Sequence, residues 1–227
     1  ISEQATISSN DIIRGRISDD QFDKFLETSK NISELPLYVD ETPAISIAAL
    51  SNRARRIKRL FGLDMIVVDY IQLMRGITFN KDGRVQEISQ ITQGLKALAK
   101  ELNVPVIALS QLSRNVENRD NKKPQLSDLR DSGAIEQDAD IVMFVYREEY
   151  YLRREEPEVG TEQHIDWQNK MEAAHGKASV LIEKHRHGAV KTVEMQFTEE
   201  FTRFSDLARD QYIPESCLLY TSPSPRD

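Results

Sequence analysis

Met65-Ile66-Val67-Val68-Asp69 is an unbroken apolar run closed by a carboxylate. Four apolar side chains without polar alternation read as a strand buried on both faces, the pattern of a parallel sheet covered by helices. Burying each of those side chains contributes about 1.5–3 kcal/mol. A carboxylate is costly to bury unpaired, so Asp69 belongs at the carboxyl edge of the strand, where open α/β sheets bind ligands. A second apolar run, Val104 to Leu109, carries Pro105 near its start, where a strand tolerates proline, and ends in Ser110-Gln111. Between the two runs, Ile88, Ile91, Leu95, Leu98 and Leu102 mark one face of a helix. Strand, helix, strand in this order predicts a parallel β-α-β unit.

The neighbouring segments extend this reading. Ser18-Asp19-Asp20-Gln21 has capping-box spacing and predicts a helix ending near Lys30. Leu35 to Val39 reads as a strand, followed by a turn at Asp40-Glu41-Thr42-Pro43. Ile47, Leu50, Ala54, Ile57 and Phe61 step along one helix face, and Gly62 closes that helix. Ile141 to Tyr146, Val180 to Ile182 and the alternating Val193, Met195 and Phe197 predict three further strands, the last ones hairpin-like. The expected class is α/β, with a mostly parallel sheet flanked by helices and antiparallel C-terminal edge strands. Two polar segments, Gly76 to Arg84 and Asn115 to Gly133, follow strands and are candidate ligand loops.

Composition narrows the function. The chain has 227 residues, 39% apolar and 30% charged, enough for the core of one large domain. No apolar run approaches the roughly 18 residues that span a bilayer. Cys217 is the single cysteine, so an internal disulfide and a cysteine-based zinc site are excluded. The net charge of -7 excludes a uniformly basic surface but leaves room for a local basic strip. The nine glycines include no two spaced five apart, so the chain holds no Gly-x-x-x-x-Gly-Lys phosphate loop. Ile1 begins without a signal-peptide pattern and reads as the interior of a longer chain. Residues 1–210 are expected to form one domain. Residues 211–227, rich in Ser and Pro, are expected to be a disordered, non-native tail.

Four groups of residues carry chemistry. Asp69 and Gln111 close two adjacent buried strands with a carboxylate and a neutral amide. Such a pair suits a Mg²⁺ held through water beside a γ-phosphate; the structural alternative for Asp69 is a strand-end cap. The block Asp128-Leu129-Arg130-Asp131-Ser132-Gly133-Ala134-Ile135-Glu136-Gln137-Asp138-Ala139-Asp140 combines charge with a glycine that lets backbone approach a phosphate. Its alternative is a charged surface turn. In Lys184-His185-Arg186-His187-Gly188, strand alternation puts Lys184 and Arg186 on one face, a clamp for an anion or else a solvated strand end. His185 and His187 lack a third ligand for a metal site. Arg53, Arg55, Arg56, Lys58 and Arg59 surround an apolar helix face and read as a solvated surface rather than a nucleic-acid site.

Taken together, these motifs resemble the C-terminal motor domain of the bacterial replicative DNA helicases of the DnaB type. The resemblance rests on Val68-Asp69-Tyr70-Ile71-Gln72-Leu73-Met74, the helix Leu95 to Leu102, Ala108-Leu109-Ser110-Gln111-Leu112-Ser113-Arg114, the Asp128 to Asp140 block and Lys184 to Gly188. It implies a RecA-like ATPase that forms a homohexamer around single-stranded DNA, with ATP and Mg²⁺ between neighbouring subunits. It further implies 5′ to 3′ translocation during replication, primase and a helicase loader as partners, and a cytoplasmic location in a bacterium without membrane association. Carried over by position, Asp69 acts on Mg²⁺ through water and Gln111 senses the γ-phosphate. Lys184 and Arg186 reach the neighbour's nucleotide, Arg186 as the arginine finger. Arg130, Asp131 and Gly133 hold the DNA backbone.

This sequence departs from the family in three ways. His185 stands where Gln is common, and Asp131 where Glu is common. The family's phosphate loop and catalytic Glu precede the region matched by Ile1, so the chain alone is expected to be inactive. Two rival expectations are a RecA-type recombinase or circadian-clock ATPase, and a non-catalytic ring or loader-interaction subunit.

Overall fold

The computed structural model describes residues 1–76, 83–129 and 133–207. Three N-terminal helices open the chain: α1 (Ser2–Ala5), α2 (Ser9–Arg14) and α3 (Asp19–Ser33). The expected capping box starts α3, with the Ser18 hydroxyl accepting from the Gln21 N–H and the Gln21 side chain accepting from the Ser18 N–H. α4 (Ile47–Phe61) follows and leads into β1 (Ile66–Val68). α5 (Arg84–Leu102) then crosses over to β2 (Val106–Ala108). β2 pairs parallel to β1, with Ile66 opposite Val106 and Val68 opposite Ala108. This is the β-α-β unit expected from the sequence.

Downstream come α6 (Gly133–Asp138), β3 (Ile141–Tyr146), α7 (Glu148–Leu152) and α8 (Glu162–Ala174). β4 (Lys177–His185), β5 (Lys191–Thr198) and β6 (Arg203–Asp206) complete the described chain. β3 to β6 form one antiparallel sheet in chain order. The α/β class stands, with two parallel strands and four antiparallel ones among the described residues.

The core forms around α5. Ile88, Ile91, Leu95, Leu98 and Leu102 meet Ile66 and Val68 of β1, Ile47 and Ala54 of α4, and Val142, Phe144 and Tyr146 of β3. α4 and α5 approach so closely that a Cβ at Gly94 would lie 2.4 Å from Ile47 Cγ1, which requires glycine there.

Two expectations are corrected. Leu35 to Val39 is not a strand, and Leu35, Leu37 and Val39 are exposed. An extended segment becomes a strand only by pairing, and no described strand lies beside it. β1 and β3 are also not buried on both faces. Ile66 and Val68 face the core while Val67 is 60% exposed, and β3 alternates in the same way. Among the described residues, helices cover one side of these strands only. The expected tail, residues 211–227, lies outside the described residues.

Candidate functional site

β1 and β2 carry Asp69 and Gln111 to neighbouring positions. Past the paired strands, the Leu109 N–H donates to the Val68 carbonyl at 2.9 Å, and the Ile71 N–H donates to the Leu109 carbonyl at 3.0 Å. Asp69 follows β1 directly and is exposed, as is Gln111 beyond β2. Gln72 ties the two strand exits together. Its Oε1 accepts from the Gln111 N–H at 3.1 Å, and its Nε2 donates to Ser110 Oγ at 2.9 Å and to the Gln111 carbonyl at 3.4 Å. Behind it, Arg84 in the first turn of α5 donates to the Gln72 carbonyl and pairs with Glu87. Glu87 Oε1 accepts from the Gly76 N–H at 3.1 Å, a bond that holds the Glu87 carboxyl below the usual carboxylate range. Sequence reasoning misses Gln72, although a polar residue inside Ile71-Gln72-Leu73-Met74 is itself a signal.

The basic pair lies on a different part of the fold. Lys184, opposite Val142 in the β3–β4 pairing, donates from Nζ to the Glu136 carbonyl and, at 3.4 Å, to the Gln137 carbonyl at the end of α6. A cation at a helix C-terminus complements the partial negative charge there. Arg186 lies just past β4, and its N–H donates to the Asp140 carbonyl at 2.8 Å. Its guanidinium lies 3.6 Å from the Asp140 carboxylate, and the side chain is 62% exposed. Lys184 and Arg186 therefore both lie beside the segment 136–140, Lys184 within β4 and Arg186 just past its end. The Lys96 ammonium, hydrogen-bonded to Asp140, holds that carboxyl below its usual range, and Arg186 adds to the effect.

The Asp128 to Asp140 block is anchored by its own acids. Asp128 is 5% exposed and accepts from Arg119 at 2.7 Å and from the Gln125 N–H at 2.8 Å. Its carbonyl accepts from the Ser113 N–H at 2.8 Å, which fastens the block to the exit of β2. Asp138 accepts from Thr92 Oγ1 of α5 at 2.6 Å. Arg130 and Asp131, the expected DNA contacts, lie outside the described residues. Gly133 is exposed at the start of α6, and a Cβ there would meet no described atom within 4 Å.

Other candidates resolve as structure. Arg53 pairs with Asp40, Arg55 pairs with Glu101 at 2.6 Å, and Lys58 donates to the Leu63 carbonyl at 2.7 Å. The Arg53 guanidinium holds the Asp40 carboxyl down at about 2. The His185 ring lies against Gly188, where a Cβ would come within 2.4 Å of it. No group of three or more His, Cys, Asp or Glu among the described residues could hold a metal ion. A single carboxylate still suits Mg²⁺, which keeps several waters and takes one or two carboxylates beside phosphates. Asp69 at an exposed strand end fits that donor set.

A β-α-β edge with a carboxylate and an amide at its strand exits, followed by the charged block and the basic strand end, places the chain in the α/β class with its polar groups gathered at strand ends. The chain belongs to the family described as DnaB-like helicase C terminal domain, whose model matches residues 1–206. It is 51% identical over 205 residues to the replicative DNA helicase DnaB of Rickettsia prowazekii, covering 90% of this chain and 42% of that protein. It is 41% identical over 206 residues to the replicative DNA helicase DnaB of Geobacillus stearothermophilus, covering 91% of this chain and 42% of the relative. A solved structure of a DnaB-like replicative helicase and its interactions with primase matches with a TM-score of 0.75 at 36% identity. That match covers 90% of this chain and 46% of the solved chain. A second solved structure, of an ATPase domain, matches with the same TM-score of 0.75 and 36% identity, covering 90% of this chain and 67% of the solved chain. The chain thus spans less than half the length of these curated relatives. No helix of the described residues is long and apolar enough to cross a membrane.

Proposed function

We propose that residues 1–206 form part of the motor of a ring-shaped replicative DNA helicase. In this reading, six copies close around single-stranded DNA, move 5′ to 3′ along it and displace the other strand. The ring works in the bacterial cytoplasm with primase and a helicase loader. ATP with Mg²⁺, bound between neighbours, supplies the phosphoanhydride whose cleavage drives movement. Asp69 holds Mg²⁺ through water, and the neutral Gln111 amide meets the γ-phosphate end. Lys184 and Arg186 belong to the neighbour's nucleotide, with Arg186 offsetting charge that develops on the transferred phosphoryl group. Arg130, Asp131 and Gly133 belong to the loop that holds the DNA backbone, with phosphates taken by the Arg130 guanidinium and by backbone N–H groups rather than by the Asp131 carboxylate, which gives little sequence preference and strong salt dependence.

One observation carries this reading. Asp69 and Gln111 sit at paired strand exits braced by the first turn of α5, while Arg186 is exposed beside Asp140, which is bound to Lys96 farther along α5. Glu87 and Lys96 are nine residues apart, about 14 Å along a helix axis. Such a division suits a composite site in which one copy supplies the carboxylate and amide and the next supplies the arginine.

The test is a full-length polypeptide in which residues 1–206 replace the matching segment of the R. prowazekii relative. Arg186→Ala is expected to lower ATP turnover by about 10³ to 10⁵, the range of arginine fingers, and to retain nucleotide binding. Normal turnover in that variant would refute the assignment.

A further inference from the structure

We propose that Gln72 is a positioning residue, which holds the Gln111 peptide so that the Gln111 side chain is presented to the γ-phosphate end of the nucleotide. The inference rests on the reading of Gln111 as the γ-phosphate sensor. The Gln111 main chain is held at both of its polar atoms by one side chain: Gln72 Oε1 accepts from its N–H at 3.1 Å, and Gln72 Nε2 donates to its carbonyl at 3.4 Å. Because an N–H can only donate, the bond from Gln111 fixes which end of the Gln72 amide carries oxygen. The other end then finds Ser110 Oγ at 2.9 Å, so Gln72 satisfies the residues on both sides of one peptide bond.

The Gln111 carboxamide itself makes no hydrogen bond among the described residues and is exposed. A fixed main chain with an uncommitted side chain is the arrangement of a group kept ready for a ligand. Gln72 is held in turn. It is half-buried in a tight turn between buried Ile71 and Met74, and its carbonyl accepts from Arg84, which is paired with Glu87. The brace joins the exit of β1, the exit of β2 and the first turn of α5. It therefore also sets the spacing between Asp69, three residues before Gln72, and Gln111. A simple loop tie would need one hydrogen bond between the exits; here a single amide makes three, centred on the sensor's own peptide.

The test uses the same full-length polypeptide, with ATP as substrate and single-stranded DNA present. Gln72→Ala is expected to lower kcat by about tenfold to a hundredfold, as misplacement of a reacting group does. KM for ATP should stay within about twofold, because ground-state binding is not what the brace supplies. The melting temperature should fall by only a few degrees, the order of the hydrogen bonds lost, far too little to unfold the chain under assay conditions. In a Gln111→Ala background, Gln72→Ala should cause little further loss, since both substitutions remove the same placed group. A native kcat in Gln72→Ala, or losses that multiply in the double variant, would overturn the positioning role and leave the sensor reading intact. A native kcat in Gln111→Ala would remove the sensor reading itself, and this inference with it.

Discussion

Ile66 and Val67 are adjacent in one strand, yet Ile66 is 8% exposed and Val67 60%. β3 repeats the contrast, with Val142, Phe144 and Tyr146 buried while Ile141, Met143 and Val145 face outward. One side of these strands rests on the core built around α5, and the other has no cover among the described residues. An apolar run states that its surface is costly in water. It does not state which element covers that surface. Leu35, Leu37 and Val39 make the same point from a segment that forms no strand at all.

Urea unfolding of the chain tells the two neighbours apart. Ile66→Ala should cost about 2–5 kcal/mol, the range for truncating a buried Ile. Val67→Thr, which keeps the branched shape, should change stability by no more than about 0.5 kcal/mol. Similar costs at the two positions would mean that the outward face is covered in solution.

Carboxylates divide in the same way. Asp69 is exposed at a strand end, whereas Glu149 is 3% exposed and serves as a hub. His175 Nδ1 lies 3.0 Å from Glu149 Oε1, Arg153 donates at 2.7 Å and the Gly176 N–H donates at 3.2 Å. Burial pushes the Glu149 carboxyl up, but the His175, Arg153 and Gly176 bonds outweigh it and hold the group below its ordinary range. A carboxyl depressed on folding stabilises the fold above its unfolded value, near pH 4.3. That contribution is lost as pH falls through the lower folded value. Glu149→Gln should therefore cost about 1–3 kcal/mol at neutral pH, since Arg153 and His175 can turn to water. The gap between variant and native melting temperatures should close on acidification below pH 4.3. A gap independent of pH would show that the charge on Glu149 does not matter.

These contrasts explain what is legible in the sequence. The α5 face, the paired strands β1 and β2 and the cap of α3 follow from periodicity and local hydrogen bonding, which neighbouring residues encode. Asp69, Gln111, Lys184 and Arg186 stand out as charges or an amide at the ends of apolar strands, a pattern that marks candidates for ligand contact and, as Lys184 bound to α6 shows, also serves structure. Gln72 and Glu149 do not, because their meaning lies in partners 26 to 39 residues away. In the polar segment from Glu155 to Gly176, α8 stays mostly exposed and rests on α7, with Trp167 Nε1 donating to the Leu152 carbonyl at 2.7 Å and the His164 ring stacked on Trp167. A lone Trp in a polar stretch is the available signal.

The smallest effect concerns the turn after β4, where the two neighbours to compare are His185 and Arg186. The His185 ring lies back against Gly188, while Arg186 extends into solvent. A Cβ at Gly188 would come within 2.4 Å of His185 Cε1 and Nδ1. The clash is with the end of a side chain that is only half-buried, so the ring can swing aside. Gly188→Ala should therefore cost about 0.5–1.5 kcal/mol, the order of an off-rotamer side chain. In a His185→Gln background the flexible amide can avoid the new methyl, and the cost should fall toward zero, a coupling that a four-variant cycle of urea midpoints measures. If the penalty instead persists unchanged beside Gln, the glycine is required by the backbone of the turn and not by the ring. Arg186 would then owe its outward direction to the hairpin itself and to its N–H bond with Asp140.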